Sequence, residues 1–219
     1  MTQNTTTVQA TAVARIAGTN VFAFSGFNVT GFVTGAVTVT LAGNWTDSAN
    51  NSGAGATAEY TMGAPSADLA RPLSGEVIGK SELNAIARYL EVTFFPTAGN
   101  ALNVASIEGK VSVDGDGAGD VAIAAVPILV SGNTYRYGFT GSFTTGSVVV
   151  TLAAGWSDSA GNLALEEFEI FTVDLPTASL VLPADGATVG RDALNGQQYI
   201  DVLYTPTVGN TVDAGTIQD

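Results

Sequence analysis

Three aspartates in a glycine-rich stretch of the 219-residue chain have the type and spacing of metal ligands. Asp114, Asp116 and Asp120 alternate with glycines or lie next to them. Carboxylates on such a flexible backbone suit a hard cation that prefers oxygen ligands, so the three form a candidate calcium site. The stretch departs from an EF-hand loop, because its fifth position is Ala118 and its twelfth is Ala125. A flexible hairpin loop without a metal is the alternative.

Catalytic side chains are few, because the chain contains no histidine and no cysteine. This excludes Ser-His and Cys-His nucleophile pairs, imidazole metal ligands, disulfides and thiolate metal sites. Paired carboxylates such as Glu167 and Glu169 would suit glycoside hydrolysis, but their i, i+2 spacing in an alternating strand pattern favours a solvated strand face. We predict no catalytic residues and expect that the protein is not an enzyme.

The charge of the chain limits its partners. Lys and Arg together number 7 and Asp and Glu 20, which gives a net charge of −13. Such a chain repels nucleic acid and anionic lipid, so we expect no nucleic-acid partner. No apolar run approaches the roughly 18 residues that span a bilayer, so no membrane insertion is expected. Residues 1–7 do not resemble a secretion signal, which leaves the route of export open.

The elements that must position these residues are set by an internal repeat. Residues 35–51 return as residues 146–162, at an offset of 111 residues. A second block returns at the same offset, and a third follows after a deletion of one residue. The recurring positions in these two blocks are Pro65, Leu69, Pro72, Gly75, Gly79, Leu83, Asn84, Tyr89, Val92, Pro96, Gly99, Asn100 and Ile107. The chain therefore contains a duplicated module of about 111 residues.

The two tryptophans occupy the same position in the repeat. Trp45 and Trp156 each follow an apolar strand pattern. Aromatic faces can stack on sugar rings, so a glycan-binding role is one interpretation. Their identical place in the repeat favours packing in the core or as a loop anchor.

Residues 47–51 and 158–162 also recur, as Asp-rich and Asn-rich turns. Asp and Asn accept hydrogen bonds from their own backbone in turns, so we predict that both segments stabilise hairpins. The alternative is a cation site near a module joint. Its additional ligands would be Glu166, Glu167 and Asp174.

Alternation with a period of two residues predicts an all-β fold. The segments that alternate most clearly are 37–41, 90–94 and 135–139, and clusters of Gly, Asn, Asp and Pro separate the runs. About seven short strands in roughly 100 residues are typical of a Greek-key β-sandwich. A helical turn is expected only within residues 81–87, and its counterpart at 191–197 reads as a connector.

Proline-marked joints predict the module boundaries. One complete module is expected at residues 65–173. Residues 1–62 match the back portion of a module, and residues 176–219 match the front portion. Together the two partial segments are close to one period in length, so the second module is split between the chain ends.

The repeat resembles bacterial Ig-like modules that occur in tandem in giant surface proteins, RTX-type adhesins and S-layer-associated proteins. The pattern Pro-x-Ala-x-Leu-x-x-Pro-x-x-Gly at 176–186 carries part of the resemblance. The remaining motifs are at 199–202, 135–137, 148–152 and 156–162. The resemblance implies an Ig-like sandwich, a cell-surface or extracellular location and a role as stalk, spacer or surface-structure module.

A half-sandwich leaves an apolar face uncovered and strand edges unpaired, so each partial segment needs a partner. We expect that the two partial segments of one chain do not pair with each other, because residues 62 and 176 would lie at opposite poles of the completed module. We predict that segment 176–219 of one copy completes segment 1–62 of the next, giving a head-to-tail homopolymer. The alternatives are a stalk fragment of a giant adhesin, a glycan-binding module and a virion decoration protein.

Overall fold

The computed structural model describes residues 1–28 and 32–217, with position 86 described by its backbone alone. The chain forms two compact units, Met1–Ala64 and Pro65–Asp219. The boundary between them lies at Pro65, where the sequence places the start of the complete module. The last two residues of the predicted front portion, Gln218 and Asp219, lie outside the described residues.

The first unit consists of short strands joined by turns. Its strands are β1 (Thr2–Gln3), β2 (Thr6–Thr7), β3 (Ala12–Arg15), β4 (Phe22–Ser25), β5 (Gly35–Leu41) and β6 (Ala56–Met62). Four of them form an antiparallel sheet in the order β2-β1-β5-β6, and β3 and β4 form a separate hairpin. The side chain of Gln3 binds the backbone of Val33 through both its amide nitrogen and its oxygen, at 2.6 Å each.

In the second unit, residues 65–174 form two facing sheets. The strands are β7 (Ser66–Arg71), β8 (Val77–Gly79), β9 (Tyr89–Phe95), β10 (Val111–Asp114), β11 (Ala122–Ile123), β12 (Ile128–Ser131), β13 (Thr134–Thr140), β14 (Gly146–Leu152) and β15 (Glu167–Asp174). One sheet has the order β10-β14-β15-β8, and the other has the order β11-β13-β9-β7 with β12 also on β13. The pair β8–β15 is parallel, and the other pairs are antiparallel.

The alternating side chains of these sheets meet in one core. Leu90, Val92 and Phe94 of β9 are buried and alternate with polar residues, and Val148 and Val150 of β14 are buried on either side of the half-buried Val149. Burial of one such side chain stabilises the fold by about 1.5–3 kcal/mol relative to an exposed position. The sequence prediction of an all-β fold is confirmed, and residues 65–174 have the layered packing of a β-sandwich.

The connectors contain the helical segments of the described chain. A π-helical turn spans Glu82–Ala87, and 3-10 turns span Val104–Ile107 and Ala214–Thr216. The segment read as a connector at 191–197 is an α-helix, α1 (Arg191–Gln197), despite Gly196. It ends because Gln198 adopts a left-handed conformation and donates its N–H to the carbonyl of Leu194.

After residue 174 the chain forms a lone hairpin. Strands β16 (Thr177–Leu182) and β17 (Asp201–Thr205) pair antiparallel, and every residue of both strands is exposed. None of the helices in the described ranges is long and apolar enough to cross a membrane.

Candidate assembly interface

The hairpin β16–β17 has the same pairing as β7–β9 of the complete module. Leu180 lies opposite Val202 in the first hairpin, as Leu69 lies opposite Val92 in the second. The exposure of the two hairpins differs greatly. Val92 is fully buried, whereas the equivalent Val202 is 38% exposed. The hairpin β16–β17 therefore has the side chains of a sandwich layer but lacks the opposite layer.

Residues 1–62 correspond to the other strands of the module, and they show the same difference in exposure. Leu152 is 2% exposed in β14, and its repeat equivalent Leu41 in β5 is 48% exposed. Phe171 is fully buried in β15, and its equivalent Tyr60 in β6 is 44% exposed. Among the described residues of the first unit, Val37 is the one apolar residue that is buried. This segment likewise presents core positions without a covering layer.

In the complete module, two backbone ladders join the parts that correspond to these segments. Strand β9 pairs with β13 antiparallel, from Thr93 opposite Thr134 to Tyr89 opposite Gly138. Strand β8 pairs with β15 in parallel. By the repeat, 176–217 contains the equivalents of β7 to β9, and 1–62 those of β12 to β15. For the first ladder each segment supplies a strand, β17 in one and β4 in the other. For the second ladder β6 is a strand, but residues 188–190, the equivalent of β8, do not form one.

The two tryptophans take different positions. Trp156 is 1% exposed and packs edge-to-face on Phe94, with ring centroids 5.0 Å apart. Trp45 is 60% exposed, and its ring covers Gly53 so closely that a Cβ on Gly53 would clash with it. The predicted core packing is confirmed for Trp156, whereas Trp45 is exposed because the equivalent of Phe94 is absent from its own segment.

The turns at 47–51 and 158–162 are built alike. In each, one carboxylate oxygen of the aspartate accepts backbone N–H groups two and four residues later: Ala49 and Asn51 on Asp47, Ala160 and Asn162 on Asp158. The asparagine side chain also donates to the carboxylate in both turns. The prediction of hairpin-stabilising turns is confirmed.

Asp158 has a further partner that Asp47 lacks among the described residues. Thr97, which follows β9, donates its hydroxyl and backbone N–H to the second carboxylate oxygen of Asp158. Burial raises the pKa of Asp158, but the hydrogen bonds from Thr97 and Asn162 outweigh it and hold the pKa well below its usual range. The carboxylate is therefore ionised and joins the front and back portions of the complete module.

The predicted calcium ligands lie along one loop, and two of them already accept backbone N–H groups. Asp114 accepts from Gly115 at 2.7 Å, and Asp120 accepts from Ser142 at 2.7 Å. Asp116 is exposed, and its carbonyl accepts the hydroxyl of Thr144. In the part of the chain that the structure describes, no group of three or more acidic side chains is placed to hold a metal ion. Calcium binding at this loop stays a prediction.

The prediction of a solvated face for Glu167 and Glu169 is wrong. Both are half-buried on the face that also carries the buried Phe171, whereas Phe168 and Ile170 take the exposed face. Burial raises the pKa of Glu167, while the backbone N–H of Ala67 at 3.3 Å opposes the rise. The alternation in β15 was ambiguous because apolar residues occupy both faces.

Searches for similar proteins found no matching protein family, curated protein or solved structure.

Proposed function

We propose that the protein is a non-enzymatic structural subunit that assembles head to tail into an extracellular fibre or surface layer. Residues 176–217 of one copy and residues 1–62 of the next would form a composite Ig-like Greek-key sandwich. The observation that carries this proposal is the exposure, in both segments, of side chains whose repeat equivalents form the core of the complete module.

Strand pairing across the boundary would supply both affinity and order. By the template of the complete module, β4 would pair with β17 antiparallel, and the end of β6 would pair in parallel with residues 188–190. Backbone ladders of this kind give affinity, and the alternating side chains give selectivity. The contact joins two different surfaces of the subunit, so it need not close, and repeated without closure it generates a filament.

The geometry of the complete module bears on closure within a single chain. Glu167, at the start of β15, contacts the backbone of Ala67, while Asp174 at its end pairs with Gly79. The chain therefore enters and leaves this module at opposite poles, separated by roughly 24 Å along the strand. In a composite module, residues 62 and 176 would lie equally far apart, at its two poles. The complete module could therefore bridge them, so pole separation does not exclude closure in one chain. Dependence on concentration distinguishes the two arrangements.

Two substitutions on opposite faces of β17 test the proposal. Val202→Asp places a carboxylate at a position equivalent to the buried Val92, and an unpaired buried charge costs several kcal/mol. Leu203→Asp adds the same charge at the position equivalent to Thr93, on the outer face. We expect wild type and Leu203→Asp to form filaments in sedimentation velocity and electron microscopy, and Val202→Asp to stay monomeric with the complete module folded.

The controls separate the alternatives. Val92→Asp should unfold the complete module, which would show that a carboxylate is not tolerated at this position of a closed sandwich. A wild-type chain that stays monomeric at every concentration, with Trp45 exposed to solvent, would refute assembly and favour a fragment of a longer tandem array. A monomer in which Trp45 is buried would show closure within one chain.

A further inference from the structure

We infer that two polar contacts, one at each end of the composite sandwich, fix the register in which the copies join. Thr207 of one copy would bind Asp47 of the next, and the side chain of Asn195 would bind the backbone of Phe32. We call these contacts the polar latches. The inference rests on the proposed function and specifies which residues decide correct joining.

The template for the first latch lies just after β9, which ends at Phe95. The hydroxyl of Thr97 donates to Asp158 and accepts from the side chains of Asn100 and Asn162, at 2.8 and 3.0 Å. One donated and two accepted hydrogen bonds use the full capacity of a hydroxyl group. Thr97 lies in the front portion of the module and Asp158 in the back portion, so this contact crosses the division at which the second module is split.

Both halves of the first latch are already formed in the separate segments. Asn210 donates its side chain to the Thr207 hydroxyl at 3.0 Å and its backbone N–H to the Thr207 carbonyl at 3.1 Å. The corresponding distances at Asn100 and Thr97 are 2.8 and 3.0 Å. The Asp47 turn matches the Asp158 turn in the same way, as described above. Neither half has to refold before the two meet.

The second latch has its template at the other end of β9. The side chain of Asn84 donates to the carbonyl of Phe143 and accepts the N–H of Phe143, both at 2.9 Å. Asn84 lies in the π-helical turn before β9, and Phe143 follows β13. Their repeat equivalents are Asn195 in α1, which is exposed, and Phe32, which is half-buried.

The polar latches fix the register of the paired strands, which the apolar faces alone do not determine. A strand that slips by two residues keeps its apolar side chains on the same face, so alternation alone does not forbid that register. In a slipped composite, Asp47 would be covered without the hydroxyl of Thr207, and a buried acceptor that loses a partner is costly. Latches at both ends of one strand therefore select a single register.

Matched valine substitutions test the first latch. Thr207→Val keeps the shape of the side chain and removes the hydroxyl, and loss of one such hydrogen bond should raise the critical concentration for filament formation roughly tenfold. The melting temperature of the complete module should not change. Thr97→Val should lower that melting temperature and leave the critical concentration unchanged. Asn195→Leu, with Asn84→Leu as its matched control, tests the second latch in the same way.

A double-mutant cycle with Asp47→Asn gives a readout that a general loss of packing would not produce. We expect Thr207→Val and Asp47→Asn together to raise the critical concentration by clearly less than the product of the two single effects, because both remove the same contact. If the wild type forms filaments and Thr207→Val leaves the critical concentration unchanged, the latch is overturned while assembly stands. The same conclusion follows if the effects of Thr207→Val and Asp47→Asn on the critical concentration multiply strictly. Absence of filaments in the wild type would overturn both the latch and the proposed function.

Discussion

Trp45 offers a direct measure of the composite core, because the chain contains its buried counterpart as an internal standard. We expect Trp45→Ala to weaken filament formation without destabilising the complete module. An aromatic side chain buries about 150–250 Å² in a core, and at about 25 cal/mol per Å² its exposed 60% corresponds to about 2–4 kcal/mol. That range predicts a rise of about 30-fold to 1,000-fold in the critical concentration.

The assay combines sedimentation with intrinsic fluorescence. In Trp156→Phe the remaining tryptophan reports on residue 45, and its emission should shift to the blue as filaments form and Tyr204, the equivalent of Phe94, packs against it. Trp156→Ala is the matched control, and it should instead destabilise the complete module by about 3–5 kcal/mol. Filaments in which the emission of Trp45 stays that of an exposed indole, or normal assembly of Trp45→Ala, would refute the reasoning.

Two further predictions concern the carboxylates. The folded-state pKa of Asp158 lies below that of an unfolded aspartate, about 3.9, so its contribution to stability is present above that pH and is lost as the pH falls further. In thermal melts Asp158→Asn should therefore be less stable than wild type at pH 7, and the difference should shrink below about pH 4; a constant difference would contradict this. If the loop with Asp114, Asp116 and Asp120 binds calcium, millimolar calcium should raise the melting temperature of wild type but not of Asp116→Asn. No shift in the wild type would remove the loop as a calcium site.

Much of the fold could be predicted from local sequence patterns. Alternation identified the buried faces of β9 and β13, because a strand with one buried face has a period of two. The same rule failed in β15, where Phe168 and Ile170 on the exposed face are as apolar as Phe171 and Val173 on the buried one. Only the packing of a second sheet decides which of two apolar faces is covered.

The environment of Trp45 and the polar latches depend on contacts that local patterns do not contain. Trp45 and Trp156 follow closely similar sequences, and what separates them is whether an aromatic residue from β9 or its equivalent is present. Thr97 and Asp158 lie 61 residues apart in the chain. The signal that could have identified them was the repeat itself, because the turn after β9 and the turn after β14 both recur.

The order already present in the separate segments bears on how readily they would join. Residues 1–62 contain the seven-pair ladder of β5 and β6 and the Asp47 turn, and residues 176–217 contain the paired hairpin and the Thr207 turn. Association of ordered partners loses less conformational entropy than coupled folding and binding does. Assembly should therefore consist mainly of docking two largely ordered segments, with strand formation at residues 188–190 as an added step. Most of the free energy gained by covering the apolar face and forming the polar latches would then stabilise the contact between copies.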